Sequence, residues 1–208
     1  MPDFSIECGH IGLVAGCDEA GCGPWAGPVV AAAVIFPEYK ALSSTLLDVL
    51  EDSKKLTSKK REYAFNLLND ATSIQYYSAI AHASVEEIDT LNIRQAAMLA
   101  MQRALVALPI QPHVALIDGI TRPSVPFPTQ CVKQGDTLSF SIAAASILAK
   151  VTRDRWMHTL AQEFPQYGWE RNAGYGTAFH QEALKKYGVT SHHRRTFAPI
   201  ALLLQKAA

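Results

Sequence analysis

The chain has 208 residues, of which 49% are apolar and 18% are charged. This length and composition exclude a disordered chain and are enough for a hydrophobic core without disulfides or a structural metal. No apolar run approaches the roughly 18 residues of a membrane span, and the N-terminus has no basic segment followed by an apolar core, as a secretory signal would. We therefore expect one domain over residues 1–208, located in the cytoplasm.

The net charge is zero, but the charges are unevenly distributed. Residues 1–52 carry eight acidic and one basic side chain, whereas residues 150–208 carry nine basic and four acidic ones. This asymmetry fits a cation site in one region and a phosphate-facing surface in the other, although ordinary solvated faces also produce it. The four cysteines match no zinc-binding spacing, so free thiols are expected, with Cys17 buried in a strand.

The hydrophobic pattern predicts strands and helices that alternate along most of the chain. Strands are predicted at residues 13–17, 29–36, 74–81 and 114–117. Helices are predicted from a Thr57 cap to about residue 69, at 86–89, from an Asn92 cap to Pro109, at 141–161 and at 178–187. Residues 168–176 are predicted to form a loop. This order of elements predicts a single α/β domain with a mixed sheet.

Four acidic residues stand where predicted strands end or before the long helix. Asp18 and Glu19 follow the first strand, Asp118 ends the strand at 114–117, and Asp136 precedes the helix at 141–161. Acids at such positions also serve ordinary turns. If they converge, they repel one another, and such clusters persist mainly when protonated or bound to a cation. Oxygen ligands favour Mg²⁺ or Mn²⁺ over zinc.

Several long motifs occur in an order that is familiar. They are VAGCDEAGCGPWAGPVV at 14–30, DSKKL at 52–56, the block from Gly135-Asp136 through SIAAASILAKVTRDR at 141–155, GYGT at 174–177 and HRRTFAP at 193–199. Together they resemble bacterial ribonuclease HII over residues 11 to 200. The resemblance implies a ribonuclease H-like fold, with a mixed five-stranded sheet flanked by helices and a C-terminal helical segment. The core would span about residues 11–165 and that segment about 166–208.

The resemblance also implies an activity and a set of metal ligands. The expected enzyme is an endonuclease that cuts the RNA strand of RNA–DNA hybrids and the 5′ side of single ribonucleotides in duplex DNA. Its products would carry a 3′-hydroxyl and a 5′-phosphate. The family's four ligands for two Mg²⁺ or Mn²⁺ ions match Asp18, Glu19, Asp118 and Asp136. Two such cations activate a water and stabilise the leaving oxygen.

The glycine turn departs from the family in one residue. The family has Gly-Arg-Gly, whereas this chain has Gly21-Cys22-Gly23. Glycines allow backbone groups to approach a 2′-hydroxyl, by which proteins distinguish RNA from DNA.

The resemblance also implies other substrate-binding residues. Tyr175 matches the family tyrosine that packs against the sugar at the RNA–DNA junction, and Gln134 stands where family members usually have lysine. The candidate phosphate contacts are Lys54, Lys55, Lys150 and Arg153, although surface lysines are usually only solvated. Ser146 is a further predicted substrate-binding residue, which shares one helix face with Lys150 and Arg153.

Two other interpretations remain open from the sequence. Ribonuclease HIII cuts hybrids more broadly but carries an extra N-terminal domain. A nucleic-acid-binding module that has lost catalysis would also have this fold.

The expected partners are RNA–DNA hybrids and ribonucleotide-containing duplexes. The expected role is the removal of misincorporated ribonucleotides and primer remnants. We expect a monomer without a sliding-clamp motif in residues 201–208. Structural roles are expected for His180, His192 and His193, because no nucleophile motif accompanies them.

Overall fold

The computed structural model of the chain describes residues 2–50, 56–69 and 76–207. Its strands are β1 Val14–Ala20, β2 Val29–Ile35, β3 Tyr77–Ala83, β4 Val114–Asp118 and β5 Thr129–Val132. They form one sheet in the order β3-β2-β1-β4-β5. Strands β1, β2 and β3 pair antiparallel, while β1, β4 and β5 pair parallel. The predicted mixed five-stranded sheet is confirmed.

The helices surround this sheet. The α-helices are α1 Ser5–Cys8, α2 Ser44–Leu47, α3 Ser58–Asn69, α4 Val85–Leu91, α5 Ile93–Val106, α6 Phe140–Glu163, α7 Trp169–Asn172, α8 Ala178–Tyr187 and α9 Ala198–Ala207. Single 3₁₀ turns occur at Tyr39–Ala41, Gly135–Thr137 and Pro165–Tyr167. No helix within the described ranges has both the length and the apolarity that crossing a membrane requires.

Helices α5 and α6 cover opposite faces of the sheet. All seven residues of β2 are buried, and alternate side chains of a strand point to opposite faces. Ala31 and Ala33 accordingly pack with the buried residues of α5, whereas Ala32 and Val34 pack with those of α6. Because both faces are covered, β2 is a continuous apolar run rather than an alternating one.

Capping residues set the helix boundaries much as the sequence predicts. The Asn92 side chain accepts hydrogen bonds from the first amides of α5, and Thr57 accepts one from the Lys60 amide. The central helix α6 begins one residue before the predicted start, where Ser139 caps it. The structure also contains α1, α2, α7 and α9, which the periodicity does not predict. Helix α7 lies inside the predicted loop at 168–176, so that prediction was wrong in part.

Two differences among the strands affect the site. Strand β1 was predicted to end at residue 17 but continues to Ala20, which places Asp18 and Glu19 inside the strand. The hydrophobic pattern did not locate the fifth strand, β5, because it has only four residues, three of which are exposed or half-buried. Strand β3 begins at Tyr77, while the first two residues of its predicted range, 74 and 75, lie outside the described part of the chain.

The C-terminal segment packs on the second half of α6. Met157, Leu160 and Ala161 of α6 form a buried cluster with residues from α7, α8 and α9. The buried members from that segment are Tyr167, Trp169, Ala183, Leu184 and Ile200. This packing covers a face of α6 that would otherwise meet solvent.

Candidate active site

Three aspartates lie at one edge of the sheet. The parallel pairing of β1 and β4 aligns residue 17 with residue 117, so Asp18 and Asp118 occupy the next positions of the two strands. Residues aligned in this way point to the same face, here the face that α6 covers. The Gly135 amide donates to Asp118 Oδ1 at 2.7 Å, which brings the adjacent Asp136 to this edge. We call Asp18, Asp118 and Asp136 the acidic edge.

The donor set of the acidic edge fits a hard divalent cation. Asp18 is 1% exposed and Asp136 is 4% exposed, and burying carboxylates is costly unless charge or hydrogen bonds compensate. Within the described ranges, no three histidine, cysteine, aspartate or glutamate side chains are placed to hold an ion together. Mg²⁺ typically takes one or two carboxylates and completes its shell with water and phosphate. The edge therefore suits a cation that substrate helps to coordinate.

The Glu19 side chain points to the opposite face of the sheet from the Asp18 side chain. It aligns with Ala31, which packs toward α5, and its amide donates to Asp18 Oδ1 at 2.7 Å. The Cys22 Sγ donates to Glu19 Oε1 at 3.5 Å. Of the four predicted ligands, the structure therefore places Asp18 and Asp118 on one face of the sheet and Asp136 next to Gly135, whose amide binds Asp118, whereas Glu19 points to the other face. The place of Glu19 in the ligand set stays a prediction.

The two cysteines next to the acids remain protonated thiols. Burial, with Asp18 and Glu19 nearby, raises the pKa of Cys17 well above its ordinary value. Burial and the Glu19 carboxylate raise the pKa of Cys22 to about 12. A thiol with such a pKa is not a nucleophile at neutral pH, so Cys22 acts here as a hydrogen-bond donor.

Arg153 supports the glycine turn from behind and does not face solvent. Its side chain is fully buried, and its guanidinium donates to the carbonyl oxygens of Pro28, Ala173 and Ala26 at 2.9–3.0 Å. The predicted phosphate contact of Arg153 is therefore wrong. Arg153 does lie on one helix face with Lys150, but the C-terminal segment covers its part of that face.

A second buried arginine, Arg194, holds the same turn. Its guanidinium donates to the carbonyl oxygens of Gly21, Cys22, Gly27 and Pro28 at 2.6–3.2 Å. Burial, and secondarily the charge of Arg153, lower the pKa of Arg194 to about 9. Arg194 was not among the predicted site residues, although its position inside the motif at 193–199 is a signal that could have indicated a role.

Gly21 is required where these arginines meet the turn. Its φ is +104°, and a Cβ at this position would lie 2.1 Å from Arg153 Nε and 2.9 Å from the Pro28 carbonyl oxygen. A side chain would therefore be strained in backbone conformation and would displace the guanidinium. The turn is a rigid element whose backbone is fixed by side chains from α6 and from the C-terminal segment.

Tyr175 lies beside this turn. A Cβ on Gly23 would lie 3.3 Å from Tyr175 Cε1, and the tyrosine is 46% exposed. The Trp25 amide donates to the Gly174 carbonyl at 2.8 Å, and Gly176 packs so closely on the Trp25 ring that no Cβ would fit. An exposed ring on a fixed backbone is a good stacking platform, so the structure brings the turn and Tyr175 together.

The predicted lysine contacts are placed only in part. Lys150 Nζ lies 2.7 Å from Asp154 Oδ1 and lines an open groove of about 800 Å³ between α3, α6 and α7. Ser146 is 3% exposed, so Lys150 presents the more accessible polar group of the two. Lys54 and Lys55 lie outside the described residues. The contacts of Lys150, Ser146, Lys54 and Lys55 with substrate stay predictions.

Comparison with known proteins agrees with this arrangement. The family model for ribonuclease HII matches residues 15–200. The ribonuclease HII of Gluconobacter oxydans is 53% identical over 208 residues, which is 100% of this chain and 99% of that protein. The ribonuclease HII of Paramagnetospirillum magneticum is 54% identical over 97% of this chain and 98% of its own.

The chain belongs to the ribonuclease HII family. It is a hydrolytic endonuclease that cleaves RNA in RNA–DNA hybrids.

Solved structures extend the likeness. Ribonuclease H2 from Pyrococcus horikoshii superposes with a TM-score of 0.77 at 27% identity, covering 93% of this chain and 98% of that one. A ribonuclease HIII solved with Mn²⁺ superposes with a TM-score of 0.72 at 18% identity, but only 70% of that longer chain is matched. The ribonuclease H family depends on a divalent metal ion, in agreement with the oxygen-rich edge. These matches favour ribonuclease HII over ribonuclease HIII.

Proposed function

We propose that this enzyme cuts on the 5′ side of single ribonucleotides in duplex DNA, as well as in hybrids, and leaves 3′-hydroxyl and 5′-phosphate ends. The observation that carries the proposal is the continuity of the acidic edge with the glycine turn. Only Ala20 separates Glu19 from Gly21, so the backbone that would read the ribose is joined to the strand that carries the carboxylates.

The four acids would hold the metal. Asp18 and Asp118 point to one face of the sheet, and Asp136 follows Gly135, whose amide binds Asp118. Glu19 would complete the set from the end of β1. Two Mg²⁺ or Mn²⁺ ions held there would lower the pKa of a water and neutralise charge on the scissile phosphate. The chain contributes an edge fixed in register by β1, β4 and the Gly135 hydrogen bond, so the carboxylates need little rearrangement.

The turn and Tyr175 would select the ribonucleotide. The Gly21 and Cys22 carbonyls are directed toward Arg194, so we assign recognition of the 2′-hydroxyl to the N–H groups of the turn. Tyr175 would pack on the sugar next to the cut. Lys150 would contact a phosphate, after exchanging its bond with Asp154, and Lys54, Lys55 and Ser146 are proposed for the same backbone.

This activity would remove misincorporated ribonucleotides and primer remnants from DNA. We propose that the enzyme acts in the cytoplasm as a monomer. The ribonuclease HII of Archaeoglobus fulgidus was solved in a complex with PCNA. Residues 201–208 of this chain show no glutamine–aromatic clamp motif, so we propose no clamp partner for them.

The test is cleavage of an end-labelled DNA duplex that contains one ribonucleotide. We expect a single cut on the 5′ side in Mg²⁺ or Mn²⁺, none with chelator and none on the all-DNA duplex. Extension by a polymerase would show the 3′-hydroxyl. Asp18→Asn is the inactive variant, and Glu163→Gln, an exposed carboxyl at the other end of α6, is its matched control. Cutting only of long hybrids would contradict the proposed substrate.

A further inference from the structure

A buried pair of histidines lies directly behind Tyr175. His180 in α8 and His193 between α8 and α9 are both fully buried, and their Nε2 atoms lie 3.0 Å apart. We propose that His180 and His193 form a neutral, proton-ordered pair whose function is to position Tyr175 for substrate. This inference rests on the proposed role of Tyr175 at the ribonucleotide.

The hydrogen bonds determine where the protons of the pair lie. Trp169 Nε1 can only donate, and it lies 3.2 Å from His180 Nε2, so that nitrogen is an acceptor. The His180 proton is therefore on Nδ1, which donates to the Tyr175 carbonyl at 3.0 Å. The Thr190 amide donates to His193 Nδ1 at 3.0 Å, so the His193 proton is on Nε2 and is donated to His180.

One chain of donors and acceptors thus runs from Thr190 through both imidazoles to the Tyr175 carbonyl. A proton added to His180 would point at the N–H groups of Trp169 and His193, and a proton added to His193 would point at the Thr190 amide. Each ring therefore has one protonation state and one tautomer that satisfies its neighbours.

The surroundings keep both rings neutral. The rings of Trp25, Tyr167 and Trp169 pack around His180, and those of Tyr167, Trp169 and His180 pack around His193. Burial, and the neighbouring His180 and His192, lower the pKa of His193 to about 3. Burial also lowers the pKa of His180. The titratable groups facing the pair are Tyr167 and His192, while the neighbouring Arg194 directs its guanidinium to the turn.

The pair acts on Tyr175 through its backbone. The Tyr175 amide donates to Asn172 at 2.8 Å, and its carbonyl also accepts the Thr177 amide at 2.8 Å. His180 donates to this exposed loop from within the buried cluster, and Gln181 of α8 donates to the neighbouring Gly176 carbonyl from the surface. Because the ring of Tyr175 is half exposed, its position for a stacking contact depends on a backbone that hydrogen bonds hold in place.

The kinetic test is a double-mutant cycle on the duplex with one ribonucleotide. His180→Phe keeps a ring of similar size but removes the donor, and we expect KM to rise about tenfold, within the range of a lost stacking contact. We expect kcat to change less than about threefold, because the acidic edge is untouched. In a Tyr175→Ala background the same substitution should change KM no further, since it acts through Tyr175.

Two variants separate positioning from packing. The amide of His180→Asn can replace Nδ1 as donor to the carbonyl, so its KM should stay within about twofold of wild type. His192→Phe alters a neighbouring ring that packs on Phe164 and Trp169 and should leave KM unchanged. Melting curves would confirm that each variant is folded at the assay temperature.

A spectroscopic measurement tests the proton order without any substrate. Long-range ¹⁵N–¹H spectra should show His180 as the Nδ1–H tautomer and His193 as the Nε2–H tautomer, with neither protonated at pH 6. A different tautomer, an unchanged KM in folded His180→Phe, or additive effects with Tyr175→Ala would overturn the inference. A wild-type enzyme that fails to cut the single-ribonucleotide duplex would instead refute the proposed function, while the tautomers would still decide the order of the pair.

Discussion

Replacing Gly21 with alanine should destabilise the enzyme more than the same change at Gly188. Both glycines have positive φ, +104° and +80°, but a Cβ at Gly188 would meet nothing within 4 Å, whereas one at Gly21 would lie 2.1 Å from Arg153 Nε. Gly188→Ala therefore measures backbone strain, and Gly21→Ala measures strain plus displacement of a buried guanidinium.

The magnitudes follow from these two terms. Strain at a positive φ costs about 1–3 kcal/mol, and forcing extra atoms into a packed site adds about 1–3 kcal/mol. The free energy of unfolding should fall by about 2–6 kcal/mol in Gly21→Ala and by about 1–3 kcal/mol in Gly188→Ala. For a chain of this length, each kcal/mol lowers Tm by about 2–4 °C.

Urea unfolding of both variants, followed by circular dichroism, gives the two free energies. Cleavage of the single-ribonucleotide duplex should fall in Gly21→Ala, because Arg153 also holds the Pro28 and Ala26 carbonyls, and should be nearly normal in Gly188→Ala. Equal losses of stability in the two variants would refute the argument that Arg153 occupies the space beside Gly21.

Three further predictions follow from the site and its surroundings. Asp18→Asn should lower turnover at least about a thousandfold at saturating Mg²⁺ while the fold survives, and near-normal turnover would refute the metal assignment. Cys22→Arg should change duplex affinity by a salt-sensitive factor of about ten or less. It should leave the preference for ribonucleotides unchanged, because the Cys22 carbonyl stays bound to Arg194. A roughly hundredfold change in that preference, well beyond the effect of one exposed contact, would contradict this prediction. Acid should destabilise the fold below about pH 6.5, because histidines of the unfolded chain take up protons there, whereas folded His193 stays neutral down to its pKa of about 3. Between pH 7.5 and 5.5, the free energy of unfolding measured with urea should fall by about 1.4 kcal/mol because of this residue. That contribution should be absent in His193→Phe.

The sheet and the long helices could be predicted because their signals are local. Buried apolar runs indicate β2 and β4, and a side-chain cap marks the start of α5. Strand β5 has no such signal, since four residues with only Val132 buried acquire their structure from pairing with β4. Helix α7 is a single turn between Gly168 and Ala173, both of which have positive φ, and local sequence favours a loop there.

The acidic residues of the site could be predicted from the sequence, but the direction of the Glu19 side chain could not. The sequence places Asp18 and Asp118 each at the end of an apolar run, and the parallel pairing that aligns the two strands is seen only in the structure. Which way Glu19 points depends on where β1 ends, and the apolar run stops three residues before the strand does. Pairing with Ala32 and Ala31 of β2 extends the strand through Asp18 and Glu19, which are not apolar, so the direction of Glu19 is a tertiary property.

The two buried arginines show a different limit of sequence reasoning. Spacing places Arg153 and Lys150 on one helix face, but it does not show that the C-terminal segment covers that face at Arg153. The interior compensates for the cost of burying each guanidinium with several carbonyl oxygens, and even a pKa of about 9 leaves Arg194 charged at neutral pH. Charges in a low-dielectric interior act over a longer range than solvated ones. Arg153 and Arg194 therefore give the turn a positive potential from behind, although Gly21, Cys22 and Gly23 are uncharged and neither guanidinium need touch a phosphate.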